Sequence, residues 1–256
     1  MGILNLNNDS FYDGGKYNTI KGALEQVEKM VKEGATFIDL GAASSKPGSK
    51  LITSKEEQKI LLPILDVLQN QFPSIYFSID TYNHSVAYAC LSEGAAMIND
   101  ISGGLIDPKM HTTVAKFRVP YVMMHMQGLP QTMQDNPSYK DIVLEILAFF
   151  SLQTSAALAS GIHDIIIDPG FGFGKNHEQN FKILYHLKQF QTLGCPILMG
   201  VSRKSMIYKH LNISPSDALN GTTALHAWGL ERGANILRVH DVKQAKECID
   251  LWGALQ

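Results

Sequence analysis

Eight short, strongly apolar runs recur at near-even spacing along the chain, at residues 2–6, 37–40, 75–79, 96–98, 121–124, 165–167, 197–201 and 236–239. Most lack the alternation of a strand with one wet face, so they read as strands covered on both sides. No other feature constrains the fold as tightly, because doubly covered strands belong to parallel sheets whose crossovers are helices. Helical patterns fill the intervals. Ile20, Ala23, Leu24, Val27, Met30 and Val31 keep a 3.6-residue period. Thr53 and Glu56 stand at capping-box spacing ahead of Ile60, Leu61, Ile64 and Leu65, and Pro63 is expected to kink that helix. Asn176 is placed to cap a helix carrying Phe181, Leu184 and Leu187, and a last helix is expected over 242–251.

Eight units of about 32 residues match the βαβ repeat. They predict one α/β domain over residues 1–256, a single (β/α)8 TIM barrel. The rival doubly wound sheet usually carries a glycine-rich dinucleotide turn after its first strand; Asn5-Leu6-Asn7-Asn8-Asp9 stands there instead.

Composition removes several function classes. With 45% hydrophobic residues, 18% charged residues and a net charge of -2, the chain reads as globular, without the electrostatic footprint of a nucleic-acid binder. No apolar run approaches the ~20 residues that span a bilayer, so no membrane association is expected. Cys90, Cys195 and Cys248 are odd in number and widely spaced, which argues against a disulfide framework or zinc knuckle and fits a reducing cytoplasm. The N-terminus shows no signal-peptide pattern.

The ends of the strands carry the chemistry. Read to their C-terminal ends, they finish on Asn5, Asp39, Asp80, Asn99 with Asp100, His125, Asp168, Ser202 and His240. Any one of these could be a buried cap, but a full ring of polar groups at the top of a barrel reads as a catalytic face. The loops at 9–15 and 44–48 mix glycine with hydroxyl and charged groups, which suits flaps over a site. Asp168-Pro169-Gly170-Phe171-Gly172-Phe173-Gly174-Lys175 lets the backbone approach closely and holds two rings at the mouth, one able to cover a flat ligand. Only four arginines occur, and Arg203 and Arg238 both fall in Ser202-Arg203-Lys204-Ser205 and Arg238-Val239-His240-Asp241, at strands seven and eight. Barrels often bind phosphate there, so a phosphorylated ligand is expected; Lys204 alone would also suit Schiff-base chemistry. His226 is expected to pack between helices, and no histidine or cysteine spacing marks a permanent transition-metal site.

Taken in order, these motifs resemble the bacterial dihydropteroate synthases over the whole chain. Met1-Gly2-Ile3-Leu4-Asn5, the 9–15 loop, Ser44-Ser45-Lys46-Pro47-Gly48, Ser78-Ile79-Asp80-Thr81, the run 98–104, the glycine–phenylalanine run and the two basic motifs carry the likeness. The resemblance implies condensation of 7,8-dihydropterin-6-ylmethyl diphosphate with 4-aminobenzoate in folate biosynthesis, by an SN1-like path that needs no protein nucleophile and hence no Ser-His pair. It implies that Asp80, Asn99, Asp168 and Lys204 hold the pterin with Met123 flanking the ring. Asn5, Ser45, Arg238 and His240 would bind diphosphate, Asn5 also as a ligand of Mg2+. Ser45, Lys46, Pro47, Phe173 and Ser202 would form the aminobenzoate pocket, and Lys204, Arg238, His240 and Asp80 would carry catalysis. Sulfonamide-type inhibitors and a homodimer joined through late helices are further implications. The chain departs from the commoner family pattern at Asn7-Asn8, where Thr-Pro is usual, and at Ser45-Lys46, where Thr-Arg is usual. The alternatives are a non-catalytic pterin-binding paralogue and, below it, a methyltetrahydrofolate-dependent methyltransferase, which would not need both basic motifs.

Overall fold

A computed structural model of the chain describes residues 1–6, 20–43 and 52–255. Its strands are β1 (Gly2–Asn5), β2 (Phe37–Gly41), β3 (Tyr76–Asp80), β4 (Met97–Asp100), β5 (Tyr121–Met124), β6 (Ile165–Asp168), β7 (Leu198–Met199) and β8 (Ile236–Leu237). The first six pair in chain order, all parallel, and β7 pairs with β8. Single parallel bridges, Ile167 to Ile197 and Gly2 to Val239, join the two sets and close the circle. The expected (β/α)8 barrel is therefore the observed fold. β7 and β8 are shorter than the sequence suggests, yet the flanking backbone still bonds across: Ile167 N–H donates to Pro196 at 2.9 Å and Val239 N–H to Met1 at 2.9 Å.

The helices among the described residues are α1 (Ile20–Lys32), α2 (Ser54–Gln71), α3 (His84–Ser92), α4 (Met110–Phe117), α5 (Ile142–Ala159), α6 (His177–Tyr185), α7 (Ser205–Leu211), α8 (Leu219–Glu231) and α9 (Val242–Gly253). Both expected N-caps form. The Thr53 hydroxyl accepts from Glu56 N–H while the Glu56 carboxylate accepts from Thr53 N–H, and Asn176 and Gln179 repeat the exchange. Pro63 lies inside α2, which runs on as one helix to Gln71. One expectation needs correction. α5 has 18 residues and is apolar enough by length and composition to cross a membrane. Its Ile142, Val143, Ile146, Phe150 and Ala157 are buried against the barrel while Leu144, Leu152 and Leu158 stay exposed, so one face of this apolar helix serves the core.

Side chains alternate along each strand, and the inward set climbs the barrel in layers. Met97, Val122, Ile166 and Leu198 form a buried apolar floor, with Met1, Phe37 and Ile236 packed against it. Two residues further along the same strands stand Asn99, Met124, Asp168, Gly200 and Arg238. The floor keeps water out from below, and the next layer turns polar because it meets the C-terminal mouth.

Candidate active site

At that mouth Arg238 is the centre of a charged cluster. Its Nε donates to Asp39 Oδ2 at 2.6 Å and its Nη2 to Asp80 Oδ2 at 2.8 Å. Asn99 Nδ2 adds a third bond, to the same Asp39 oxygen at 2.8 Å. Asp39 is 0% exposed, so its charge depends on these donors. Burial raises the Asp80 carboxyl to about 7, Arg238 opposing and Asp39 adding to the shift. Arg238 itself is held above the ordinary arginine range, because the surrounding carboxylates outweigh burial.

Asp168 ends β6 beside this cluster, nearly buried, and accepts from Gly170 N–H at 2.8 Å. Burial pushes its carboxyl up, and Lys204 is the strongest of the opposing groups. The Lys204 ammonium reaches the Phe171 carbonyl at 2.5 Å and stands 4.7 Å from the centre of the Phe173 ring. Burial lowers it to about 8, with Asp168 opposing. Gly200 leaves a gap between these groups. A Cβ built there would stand 3.8 Å from Lys204 Nζ and 4.0 Å from both Asp168 Oδ2 and Arg238 Cβ. A carboxylate and a cation facing one gap beside an aromatic ring can hold a flat heterocycle with adjacent N–H donors and acceptor atoms.

His240 follows β8, and its Nδ1 lies 3.1 Å from the hydroxyl of Ser202, which also accepts from His240 N–H at 3.2 Å. The structure thus contains a Ser–His contact where the sequence suggested none. Ser202 is buried, and the neighbouring Asp241 is taken by Arg203, so among the described residues no carboxylate orients the ring as in a nucleophilic triad. Burial lowers His240 to about 4, Arg238 contributing, which leaves the imidazole neutral at pH 7. Asn5 ends β1 with its side chain exposed at the same mouth.

Not every strand-end group faces the site. Asp100 accepts from Ser102 N–H and hydroxyl, Gly104 N–H and the Tyr121 hydroxyl, and so anchors the loop after β4. His125 packs edge-on against Phe149, with ring centres 4.9 Å apart. Arg203, expected beside a phosphate, forks onto Asp241 at 2.8 and 2.9 Å and reaches the Pro215 and Ser216 carbonyls. It is a tie between loops. Met123 is fully buried in the outer core between strands and helices, whereas its neighbours Val122 and Met124 join other clusters. Ser45, Lys46 and Pro47 lie outside the described residues, as does the 9–15 loop. Asp39 was legible as a strand end but not as Arg238's main counter-ion. Lys175, wholly buried behind the glycine run, gave no sign beyond its place in the motif.

A closed parallel barrel with this charged, aromatic-edged mouth defines a (β/α)8 enzyme. The profile of the family described as "Pterin binding enzyme" matches residues 1–240. The curated dihydropteroate synthase of Haemophilus influenzae is 39% identical, over 99% of this chain and 92% of its own. The Yersinia pestis dihydropteroate synthase, solved with a sulfonamide drug complex, superposes with a TM-score of 0.94 at 38% identity, over 100% of this chain and 93% of that one. The Clostridium difficile enzyme, solved in the presence of pteroic acid, gives a TM-score of 0.93 at 38% identity, over 100% and 95%. The chain belongs to the pterin-binding enzyme family, in its dihydropteroate synthase branch.

Proposed function

We propose that the chain, acting as one domain over 1–256, condenses 7,8-dihydropterin-6-ylmethyl diphosphate with 4-aminobenzoate to give 7,8-dihydropteroate and diphosphate. The observation that carries this reading is the Gly200 gap, flanked by Asp168 and Lys204 and adjoining Arg238. Asp168 would receive the N–H edge of the pterin, with Asp80 and Asn99 completing the polar contacts and Lys204 meeting ring acceptors. Arg238, His240 and Asn5 would hold the diphosphate, together with Ser45.

The chemistry follows from those placements. Breaking the C–O bond leaves a methylene cation delocalised into the pterin, while the departing diphosphate takes the bonding electrons. Arg238 meets that developing charge. The neutral arylamine, lying against Phe173 and Ser202 with Ser45, Lys46 and Pro47, then attacks the methylene and loses a proton to solvent. No protein nucleophile enters the path.

Asn5 fits a supporting role for Mg2+. It is exposed and neutral, so it could give one oxygen to the ion. The ion would supply further charge neutralisation at the leaving group. Three free cysteines support a reducing cytoplasm. Exposed Trp228, Ile249 and Leu251 on α8 and α9 offer apolar surface for a homodimer. Sulfonamides, as aminobenzoate mimics, would compete at Phe173.

The test is incubation with the dihydropterin diphosphate, 4-aminobenzoate and Mg2+, assaying dihydropteroate and diphosphate together. Aminobenzoate-dependent formation of both supports the synthase. Tight pterin binding without either product would leave a binding-only paralogue.

A further inference from the structure

The loop after β6 has no regular partner strand or helix for its backbone, yet each carbonyl from 170 to 174 is taken by a side chain. Lys175 donates to Gly170 at 2.9 Å and to Phe173 at 2.8 Å, and Lys204 donates to Phe171 at 2.5 Å. Gln134 donates to Gly172 at 2.5 Å, and the Tyr139 hydroxyl to Gly174 at 2.8 Å. A buried loop must satisfy its backbone in some such way. Here the donors come from three places: the loop after β5, the loop itself and the loop after β7.

Lys175 is the group the reaction does not use. It is 2% exposed, and its third bond goes to the His125 carbonyl at 3.1 Å. Three carbonyl acceptors call for three protons, so the geometry requires the ammonium form even though burial draws its pKa down and Asp168 only partly opposes. The approach is close because Gly170, at φ +71°, has no side chain; a Cβ there would stand 1.9 Å from the His125 oxygen. The same ammonium therefore clasps the end of β5 to both ends of the segment carrying Phe171 and Phe173.

We infer that Lys175 is a positioning residue for the aminobenzoate half of the site, holding the Gly170–Phe173 turn so that the Phe173 ring stays beneath Lys204. This rests on the synthase reading above. Asp168 takes its Gly170 N–H from the near end of the turn, whereas Phe173 hangs from the far end, so loss of the clasp falls first on the aminobenzoate side.

The experiment compares the whole enzyme with Lys175→Met and with Leu65→Ala, a core variant in α2 away from this loop, by steady-state kinetics, calorimetry with the dihydropterin diphosphate alone, and thermal melting. Lys175→Met is expected to raise KM for aminobenzoate at least tenfold while pterin affinity changes less than threefold; Leu65→Ala should lower stability without that split. Equal KM effects in both variants, or an unchanged KM in Lys175→Met, overturns the inference while leaving the synthase intact. Should Lys175→Met fail to fold, Gln134→Ala and Tyr139→Phe remove neighbouring carbonyl donors. Each is expected to raise the same KM two- to fivefold, and no change in either overturns the inference. A wild-type chain that forms no product fails the synthase reading and carries the inference down with it.

Discussion

Arg238 donates through Nε to Asp39 at 2.6 Å, although 199 residues separate them in the chain. Closure of β8 onto β1 makes the contact possible, and it leaves a guanidinium facing two carboxylates at the mouth. Replacing Arg238 by Met strands the wholly buried Asp39 charge and is expected to cost about 3–5 kcal/mol in urea unfolding. Arg238→Lys should recover part of that stability but not the turnover, because a point charge cannot serve Asp39 and Asp80 as the fork does. Equal turnover in Arg238→Lys would remove the guanidinium from the reaction.

Asp168→Asn keeps the shape of the β6 end and removes its charge. Pterin affinity is expected to fall by about 2–4 kcal/mol, since a charge-assisted bond becomes a neutral amide with a donor in the wrong place. Calorimetry with pteroate measures this directly, and an unchanged Kd would place the pterin edge elsewhere.

Gly200→Ala probes the gap itself. The added methyl would meet Lys204, Asp168 and Arg238 at ordinary contact distances of 3.8–4.0 Å, so the fold should tolerate it. The ligand should not, and pterin affinity is expected to drop at least about tenfold, or roughly 1.4 kcal/mol. A melting curve beside the calorimetry separates the two effects.

His226 gives the protein a pH-dependent stability. Both ring nitrogens are buried with no partner among the described residues, and burial lowers its pKa from 6.5 to about 4. As pH falls through that window, the unfolded chain takes up a proton that the fold refuses. The contribution is whole above pH 6.5 and lost toward pH 4, about 3 kcal/mol in all. His240 acts in the same direction. Urea midpoints between pH 7 and 4.5 should fall less steeply in His226→Leu than in the parent; parallel slopes would exonerate this histidine.

Glu57 works at the other end. It is 4% exposed in α2, and burial raises it from 4.5 to about 7, against a weaker hydrogen bond from Thr81. Its raised pKa means stability that is full below pH 4.5 and lost as pH climbs through 7. Glu57→Gln should therefore be more stable than the parent at pH 8 by on the order of 2–3 kcal/mol, and little different at pH 4. Unfolding at the two pH values decides it.

Eight β-rich runs, their helical intervals, the Thr53 and Asn176 caps and the identity of most mouth residues were legible in the sequence, because periodicity, capping and strand-end position are local properties. Which face of α5 is buried was not, since composition does not say which side of an apolar helix meets a core. Neither was the parity of Met123, one position away from the inward-facing side chains of β5. Likewise Arg203 and Arg238 are both arginines at the end of a strand, yet only the closed barrel determines that one ties loops through Asp241 and the other enters the mouth. The sequence by itself determined a repeating strand–helix chain and the stock of charged groups at its turns. Tertiary structure alone decided how those charges pair and which protons they keep, because pairing across 199 residues and the loss of solvent around Asp39, Lys175 and Glu57 exist only once the circle is closed.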